Sequence, residues 1–323
     1  MKLKDNLGRE IDYMRISITD RCNLHCRYCM PEVQDRLPHE EILRYEEILR
    51  ICKAAIRLGI RKFKITGGEP LVRKGAADLI ARLKMLPGTD CVTLTTNGTR
   101  LYEEIDSLKQ AGLDGVNISM DAVSPEVYEK ITGGDHFHEA EKALYACVKN
   151  GLKTKINTVL LKENKGEWLK LASFAETLPI DVRFIELMPV GCAGKLEGPS
   201  VDEAYRIIKS RWPDLYQSDE KHGNGPAVYF KSSSLTGSIG FIGANSHRFC
   251  SQCNRIRLTS AGELKPCLSY ETGVDLKRLI RGGADDVQLE NALKEAIQNK
   301  PAAHCFSEKE EITERRPMNQ IGG

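Results

Sequence analysis

The chain has 323 residues, of which 28% are charged and 41% hydrophobic, and its formal net charge is +2. These values are typical of a folded globular protein, and so small a net charge gives no reason to expect binding to nucleic acid or to membranes. The first ten residues lack the apolar stretch of a secretory signal, and no apolar run reaches the roughly 18 residues that a membrane span needs. We therefore expect a cytoplasmic protein whose 11 cysteines are thiols or metal ligands rather than disulfides.

Short β-rich runs alternate with helical patterns over the first two thirds of the chain. The predicted strands are 13–19, 62–66, 91–96, 115–119, 154–161 and 181–187, and the predicted helices between them are 45–58, 75–85, 102–111, 137–150 and 167–177. This order predicts an α/β fold with a parallel sheet and right-handed crossovers. Because about six such units fall short of eight, we expect a partial, open βα barrel over residues 1–217. Residues 218–323 show shorter β-like runs, a helical pattern near 287–298 and a polar tail, and they are interpreted as a smaller C-terminal region.

The predicted strands are unusual because polar and apolar residues alternate along them. Buried parallel strands are normally almost continuous apolar runs, whereas here Arg15, Lys64, Asn117 and Arg183 each lie between apolar neighbours, and Lys155 and Asn157 flank Ile156. A period of two puts the polar side chains on one face of the sheet. If helices cover the other face, the barrel encloses a wet and cationic lumen. The alternative is a half-exposed sheet whose polar face meets bulk water.

Three cysteines follow the first predicted strand directly. Cys22, Cys26 and Cys29 are separated by three and two residues, in a loop where the sites of βα folds are usually found. Thiolates in this pattern favour an iron–sulfur cluster or zinc, and zinc would need His25 or His39 as a fourth ligand. Three thiolates would leave one iron of a four-iron cluster without a protein ligand. Such an iron could bind a substrate.

A second triad lies near the C-terminus, where Cys250, Cys253 and Cys267 follow one another. Its spacing is equally compatible with an iron–sulfur cluster and with a zinc site completed by His247 or His304. Arg255 and Arg257 follow on alternate residues and join the lumen cations predicted above. Charges are rarely buried without a partner, so these cations predict a bound polyanion such as a triphosphate, and ordinary intramolecular salt bridges are the alternative.

The first triad and the segment Ile65–Pro70, which contains Gly-Gly-Glu-Pro, together resemble the radical S-adenosylmethionine superfamily. That resemblance implies a 4Fe-4S cluster on the first triad. It also implies that Tyr28 lies near the adenine of S-adenosyl-L-methionine, and that the backbone around Gly68 approaches the methionine amino group.

The second triad, with Asn254 and the two arginines after Cys253, resembles the GTP 3',8-cyclase family of molybdenum cofactor biosynthesis. Matching segments run almost from end to end, including residues 95–98, 117–121, 155–158 and 183–188 and a terminal Gly-Gly. The resemblance implies a lyase with two 4Fe-4S clusters facing each other across the lumen, the second of which binds the guanine base. It implies cyclisation of GTP to (8S)-3',8-cyclo-7,8-dihydroguanosine 5'-triphosphate, with a low-potential reductant protein and a downstream cyclic pyranopterin monophosphate synthase as partners and a monomer or homodimer as the active form.

The resemblance also assigns residues to each ligand. Ser119 and Met188 would join Tyr28 and Gly68 around S-adenosylmethionine, and the positions implied around GTP are Arg15, Lys64, Thr95, Lys155, Arg183, Arg255 and Arg257. Arg15, Gly322 and Gly323 would assist the reaction, whereas a frayed terminus is the alternative for the two glycines. Lys64 stands where the family commonly has arginine, so a charge is kept and the bidentate fork is lost. The rival interpretations are a peptide-modifying radical enzyme with an auxiliary cluster and a zinc-stabilised binding module.

Overall fold

The computed structural model describes residues 3–31, 36–220 and 222–322. Its described residues form twelve strands and ten α-helices. The strands are β1 (Tyr13–Ser17), β2 (Lys62–Thr66), β3 (Cys91–Thr96), β4 (Gly115–Ser119), β5 (Thr154–Leu160), β6 (Asp181–Glu186), β7 (Tyr216–Ser218), β8 (Val228–Lys231), β9 (Ser238–Ile242), β10 (Arg255–Leu258), β11 (Glu263–Lys265) and β12 (Val274–Asp275). The helices are α1 (Tyr45–Arg57), α2 (Ala76–Lys84), α3 (Leu101–Gln110), α4 (Pro125–Thr132), α5 (Phe137–Lys149), α6 (Trp168–Thr177), α7 (Val201–Arg211), α8 (Leu276–Arg281), α9 (Asp286–Gln298) and α10 (Met318–Ile321).

All twelve strands belong to one sheet in the order β12-β11-β10-β1-β2-β3-β4-β5-β6-β9-β8-β7. The open α/β barrel predicted from the sequence is confirmed, and each of its six predicted strands is present. The count of about six parallel strands is corrected to eight, because β10 pairs parallel with β1 and β9 pairs parallel with β6. Antiparallel strands then continue the sheet on both sides. The sheet therefore runs across residue 217, and the division into regions 1–217 and 218–323 stays a prediction.

Period-two burial places the apolar residues of the strands against the helices. Ile16, Ile65, Leu94, Ile118 and Ile156 are fully buried, and they pack with the apolar faces of the outer helices in the main hydrophobic core. The opposite face carries the polar residues of the same strands and faces the lumen, as the alternation predicted. No helix among the described residues has the length and apolar character needed to cross a membrane.

Candidate active site between two cysteine triads

The first triad lies in the loop that leaves the carboxyl end of β1. Cys22, Cys26 and Cys29 are half-buried free thiols, and the amide of Cys29 donates to the carbonyl of Cys26 at 2.9 Å. Burial raises the pKa of Cys29 to about 12, and neighbouring Cys22 adds to the shift. Three thiols that would repel one another when ionised need a cation to bind as thiolates, and the iron of a cluster supplies one. The residues fit a cluster with three protein ligands.

The second triad surrounds a small cavity. The side chains of Cys250, Cys253 and Cys267 line a space of about 60 Å³ together with Arg257 and Lys300. Burial alone would raise the pKa of Cys253, but Arg255 and Lys300 lower it to about 7. A thiol that ionises near neutral pH is prepared to bind a metal. This donor set also fits a cluster.

The two histidines of the zinc alternative differ in position. His247 Nε2 lies 2.8 Å from Asp202 Oδ1, and both side chains are exposed. His304 stacks on Phe306 with 4.2 Å between ring centroids, while its backbone amide lies 3.4 Å from Cys250 Sγ. Only His304 is therefore in contact with the second triad.

Strand direction places the triads at opposite ends of the lumen. The first triad follows β1, whereas Cys250 and Cys253 precede β10, which runs parallel to β1. Cys267 follows β11, which runs in the opposite direction, so it returns to the end where β10 begins. The lumen lies between the triads, and Arg15, Lys64, Arg183 and Arg255 line a cavity of about 630 Å³ there.

The lumen cations form an ordered row. The register pairs Arg257 with Arg15 and Arg15 with Lys64, so three cations stand side by side on β10, β1 and β2. Burial lowers the pKa of Lys64 well below its usual range, and repulsion from Arg183 and Arg15 adds to the shift. Burial and repulsion from Arg15 act in the same direction on the pKa of Arg257.

Carboxylates do not balance most of these charges. Across the described ranges, no acidic side chain forms an ion pair with Lys64, Arg183, Arg255 or Arg257. Mutually repelling cations that are at least partly buried raise the free energy of the ligand-free site, and an anion with several charges would lower it.

Lys155 is different because it already has partners. Its Nζ lies 2.7 Å from Asp181 Oδ2 and 3.0 Å from the hydroxyl of Tyr229, and it also contacts the carbonyl of His222. For Lys155, the structure therefore shows the intramolecular salt bridge that was the alternative to a bound polyanion. Lys155 can bind a phosphate only by giving up or sharing these contacts.

The remaining predicted GTP residues are polar and lie on the same face. Thr95 Oγ1 accepts from Asn117 Nδ2 at 3.2 Å, and Asn117 Oδ1 accepts from Arg183 Nη2 at 2.8 Å. An added Cβ at Gly240, opposite Arg183 on β9, would lie 3.0 Å from the side chain of Arg183. A glycine there makes room for the guanidinium.

The residues predicted around S-adenosylmethionine divide into two groups. Tyr28 donates to Asp121 Oδ2 at 2.7 Å and lines a groove of about 330 Å³, and Ser119 ends β4 near Asp121. Met188 instead lines the cavity of the second triad. Burial raises the pKa of Asp121 to about 6 even though Tyr28 donates to it.

Gly68 is required by packing within the protein. A Cβ at this position would lie 2.4 Å from the carbonyl oxygen of Arg21, and the amide of Gly68 donates to Thr19 at 2.7 Å. The segment after β2 therefore packs directly against the loop of the first triad. This packing requires a glycine independently of the expected approach to a ligand.

The C-terminal tail enters the lumen. The carbonyl of Gly322 accepts from Arg257 Nη1 at 2.7 Å, and a Cβ at Gly322 would lie 3.1 Å from Ser17. The tail therefore reaches the cation row, whereas Gly323 lies outside the described residues.

Three functional candidates were not singled out from the sequence. Asn97 Nδ2 lies 3.9 Å from Cys22 Sγ, and buried Glu69 accepts from the amide of Asn97 at 2.7 Å. Lys300 lies beside the second triad and donates to the carbonyl of Arg255 at 2.9 Å. The first two belong to motifs that were recognised as a whole, whereas nothing in its surroundings distinguishes Lys300 in the sequence.

Comparison with known families supports this architecture. Residues 16–175 match the Radical SAM superfamily, and residues 180–306 match the family described as Molybdenum Cofactor Synthesis C. The GTP 3',8-cyclase of Clostridium perfringens (strain SM101 / Type A) is 42% identical over 326 residues, which cover 99% of this chain and 100% of the relative. The GTP 3',8-cyclase of Pelotomaculum thermopropionicum is 41% identical over 327 residues, with 99% and 100% covered.

A solved structure shares the fold at low sequence identity. Streptococcus suis SuiB bound to S-adenosylmethionine superimposes with a TM-score of 0.65 at 14% identity, over 96% of this chain and 77% of that one. At this identity the likeness concerns the fold alone.

Proposed function

The chain belongs to the radical S-adenosylmethionine superfamily and, within it, to the GTP 3',8-cyclase family, and from this premise we propose how its own residues perform the reaction. The substrate is GTP, and the product is (8S)-3',8-cyclo-7,8-dihydroguanosine 5'-triphosphate in the first step of molybdenum cofactor biosynthesis. The observation that carries the proposal is the set of lumen cations Lys64, Arg183, Arg255 and Arg257, which form no ion pair with a carboxylate among the described residues and lie between the two cysteine triads.

The two triads would hold the cofactors. Cys22, Cys26 and Cys29 would bind one 4Fe-4S cluster, and Cys250, Cys253 and Cys267 would bind the other. When bound, the first cluster and S-adenosylmethionine would supply the radical that removes hydrogen from C3' of GTP; C3' would then bond to C8 of the base, and one electron from the reductant and one proton would complete the dihydro product. The protein contributes placement, charge and the exclusion of water.

The cation row would hold the triphosphate. The guanidinium groups of Arg15 and Arg257 have the geometry to donate two hydrogen bonds each to phosphate oxygens. Lys64, beside Arg15 on β2, adds a single positive charge. Arg183 on β6 and Arg255 on β10 would add further positive charge around the lumen, and Thr95 offers a hydroxyl donor. Lys155 would exchange part of its contact with Asp181 for phosphate.

The position of this row inside the lumen would also serve the reaction. A carbon radical on the substrate must be kept from solvent and from unproductive partners until the new bond forms. Long arginine side chains fix a triphosphate at several points, and so hold the attached ribose and base in one orientation for ring closure.

The proposal includes the surroundings of the enzyme. The chain would receive electrons from a low-potential reductant protein, pass its product to a cyclic pyranopterin monophosphate synthase, and act in the cytoplasm as a monomer or homodimer. All 11 cysteines are free in the structure, as expected of a protein kept in a reducing compartment.

Anaerobic product analysis tests the proposal. Reconstituted enzyme, GTP, S-adenosylmethionine and a chemical reductant should give the cyclised triphosphate and 5'-deoxyadenosine in parallel. If 5'-deoxyadenosine forms while GTP stays intact, the chain is a radical enzyme with another substrate.

Binding measurements separate the contribution of the triphosphate to affinity from that of the base. Guanosine should bind much more weakly than GTP by calorimetry, because it offers no negative charge to the cation row. Equal affinities would show that the row serves the fold alone.

A further inference from the structure

The last eleven described residues, 312–322, form a segment that we call the C-terminal strap. It contacts the loops of both triads. The amide of Glu314 donates to the carbonyl of Ser269, two residues beyond Cys267, at 3.3 Å. The amide of Met318 donates to the carbonyl of Cys29 at 2.9 Å, and Asn319 Nδ2 donates to the carbonyl of Asp20 at 2.8 Å. The strap therefore connects the second triad's loop with the first.

Glu314 fixes the beginning of this strap. Its carboxylate contacts Lys265 Nζ, and both side chains have 0% exposure. It also accepts from Arg316 at 2.7 Å and 3.0 Å, through Nη2 and Nε, and from the backbone amide of Arg316 at 2.8 Å. So many donors on one buried carboxylate fix both its position and the turn that follows it.

The strap is held from the sheet at two points. Lys265 on β11 is paired in register with Arg257 on β10, so the two side chains leave the same face of the sheet. Lys265 holds Glu314, and Arg257 holds the carbonyl of Gly322 at 2.7 Å. One pair of neighbouring residues thus fixes both ends of the strap.

The backbone of the strap between these two points is closely packed against the rest of the protein. Gly191 has φ +56°, and a Cβ there would lie 2.7 Å from the carbonyl oxygen of Arg316 and 2.9 Å from Pro317. Asn319 and Ile321 have 0% exposure. A shift at Glu314 must therefore move the rest of the strap.

We propose that Glu314 and Lys265 are positioning residues of the cyclisation: through the strap they fix the loops of the two triads relative to each other and place Gly322 on the cation row. This inference rests on the proposed function for its readout in product, and on the strap's own contacts for its readout in dynamics. Neither residue contacts the lumen cavity, so neither is offered as a catalytic group.

The test compares Glu314→Gln with Glu47→Gln in the anaerobic holoenzyme. Glu47 is a matched control because its carboxylate, 3% exposed, accepts from Arg281 at 2.8 Å and lies on α1, away from the strap. Hydrogen exchange of residues 312–322 should become faster in Glu314→Gln and stay unchanged in Glu47→Gln. Cyclised product should fall about 100-fold in Glu314→Gln, as expected for misplacement of reacting groups, while iron content and GTP affinity are retained.

The outcomes are distinct. Unchanged exchange in the strap of Glu314→Gln would overturn the inference, as would equal losses of product in the two variants. Since Glu314→Gln could lower stability as a whole, Gly191→Ala provides a second variant that displaces the strap and leaves the ion pair in place. It should show the same faster exchange and the same loss of product. If the unmodified enzyme makes no cyclised product, the proposed function fails, and the exchange experiment still decides whether Glu314 holds the strap.

Discussion

Single residues in the lumen carry charge at a cost in stability, and Lys64 shows this most clearly. Its pKa is depressed by burial and by repulsion from Arg183 and Arg15, so the surroundings in the free protein disfavour the ammonium form. A bound triphosphate favours the ammonium form. Between the depressed pKa and the ordinary value of about 10.4, binding of GTP should therefore be accompanied by proton uptake.

Calorimetry in buffers of different ionisation enthalpy measures this uptake. Lys64→Met should abolish it and weaken GTP binding by about 1.5–3 kcal/mol, the range of a lost charge-assisted contact. The matched control is Lys277→Met, because Lys277 pairs with Glu41 far from the lumen. Unchanged uptake in Lys64→Met would assign the proton to another group.

Single cysteines decide which cluster is lost. Cys22→Ala should remove about half of the roughly eight irons expected for two four-iron clusters, together with all cleavage of S-adenosylmethionine. Cys52→Ala is the control, since Cys52 is fully buried in the main core. Iron analysis of anaerobic protein measures both variants, and full cleavage in Cys22→Ala would contradict the role of the first triad.

At the scale of elements, contact between β2 and the first triad's loop depends on glycine. In Gly68→Ala the new methyl group would meet the Arg21 carbonyl at 2.4 Å, so the loop must shift. Overpacking of this kind typically costs 1–3 kcal/mol. We expect a lower melting temperature and weaker binding of S-adenosylmethionine. Gly166→Ala, with no atom within 4 Å of the added carbon, should change neither.

The sequence predicted local elements better than long-range pairing. Alternating polarity along β1 to β6 identified the lumen face, because side-chain period is a local property. The parallel pairing of β10 with β1 was not predicted. The sequence shows no helical crossover before β10, and the register is set by packing between parts of the chain that are far apart in sequence. Glu314 lies in the tail that the sequence identifies only as polar, and only the fold shows that it pairs with buried Lys265. The sequence could not decide between a phosphate and an intramolecular salt bridge as the partner of Lys155, because that choice also depends on the fold.

At the scale of the whole molecule, the single sheet joins both predicted regions. Strands β9 and β10 cover the edges of the six N-terminal strands, so a break near residue 217 would expose both edges at once. We expect one cooperative unfolding transition by circular dichroism and by tyrosine fluorescence. Two transitions with separate midpoints would instead support independent domains on either side of residue 217.

The row Arg257–Arg15–Lys64 has a consequence for the choice among cellular nucleotides. If the row holds the triphosphate as proposed, each phosphate that a ligand lacks removes negative charge from beside these cations, in a place that solvent and salt screen poorly. On this proposal the number of phosphates would limit binding independently of the base, so that a guanosine monophosphate would bind more weakly than GTP even if its base fits. Abundant nucleotides with fewer phosphates would then seldom occupy the site.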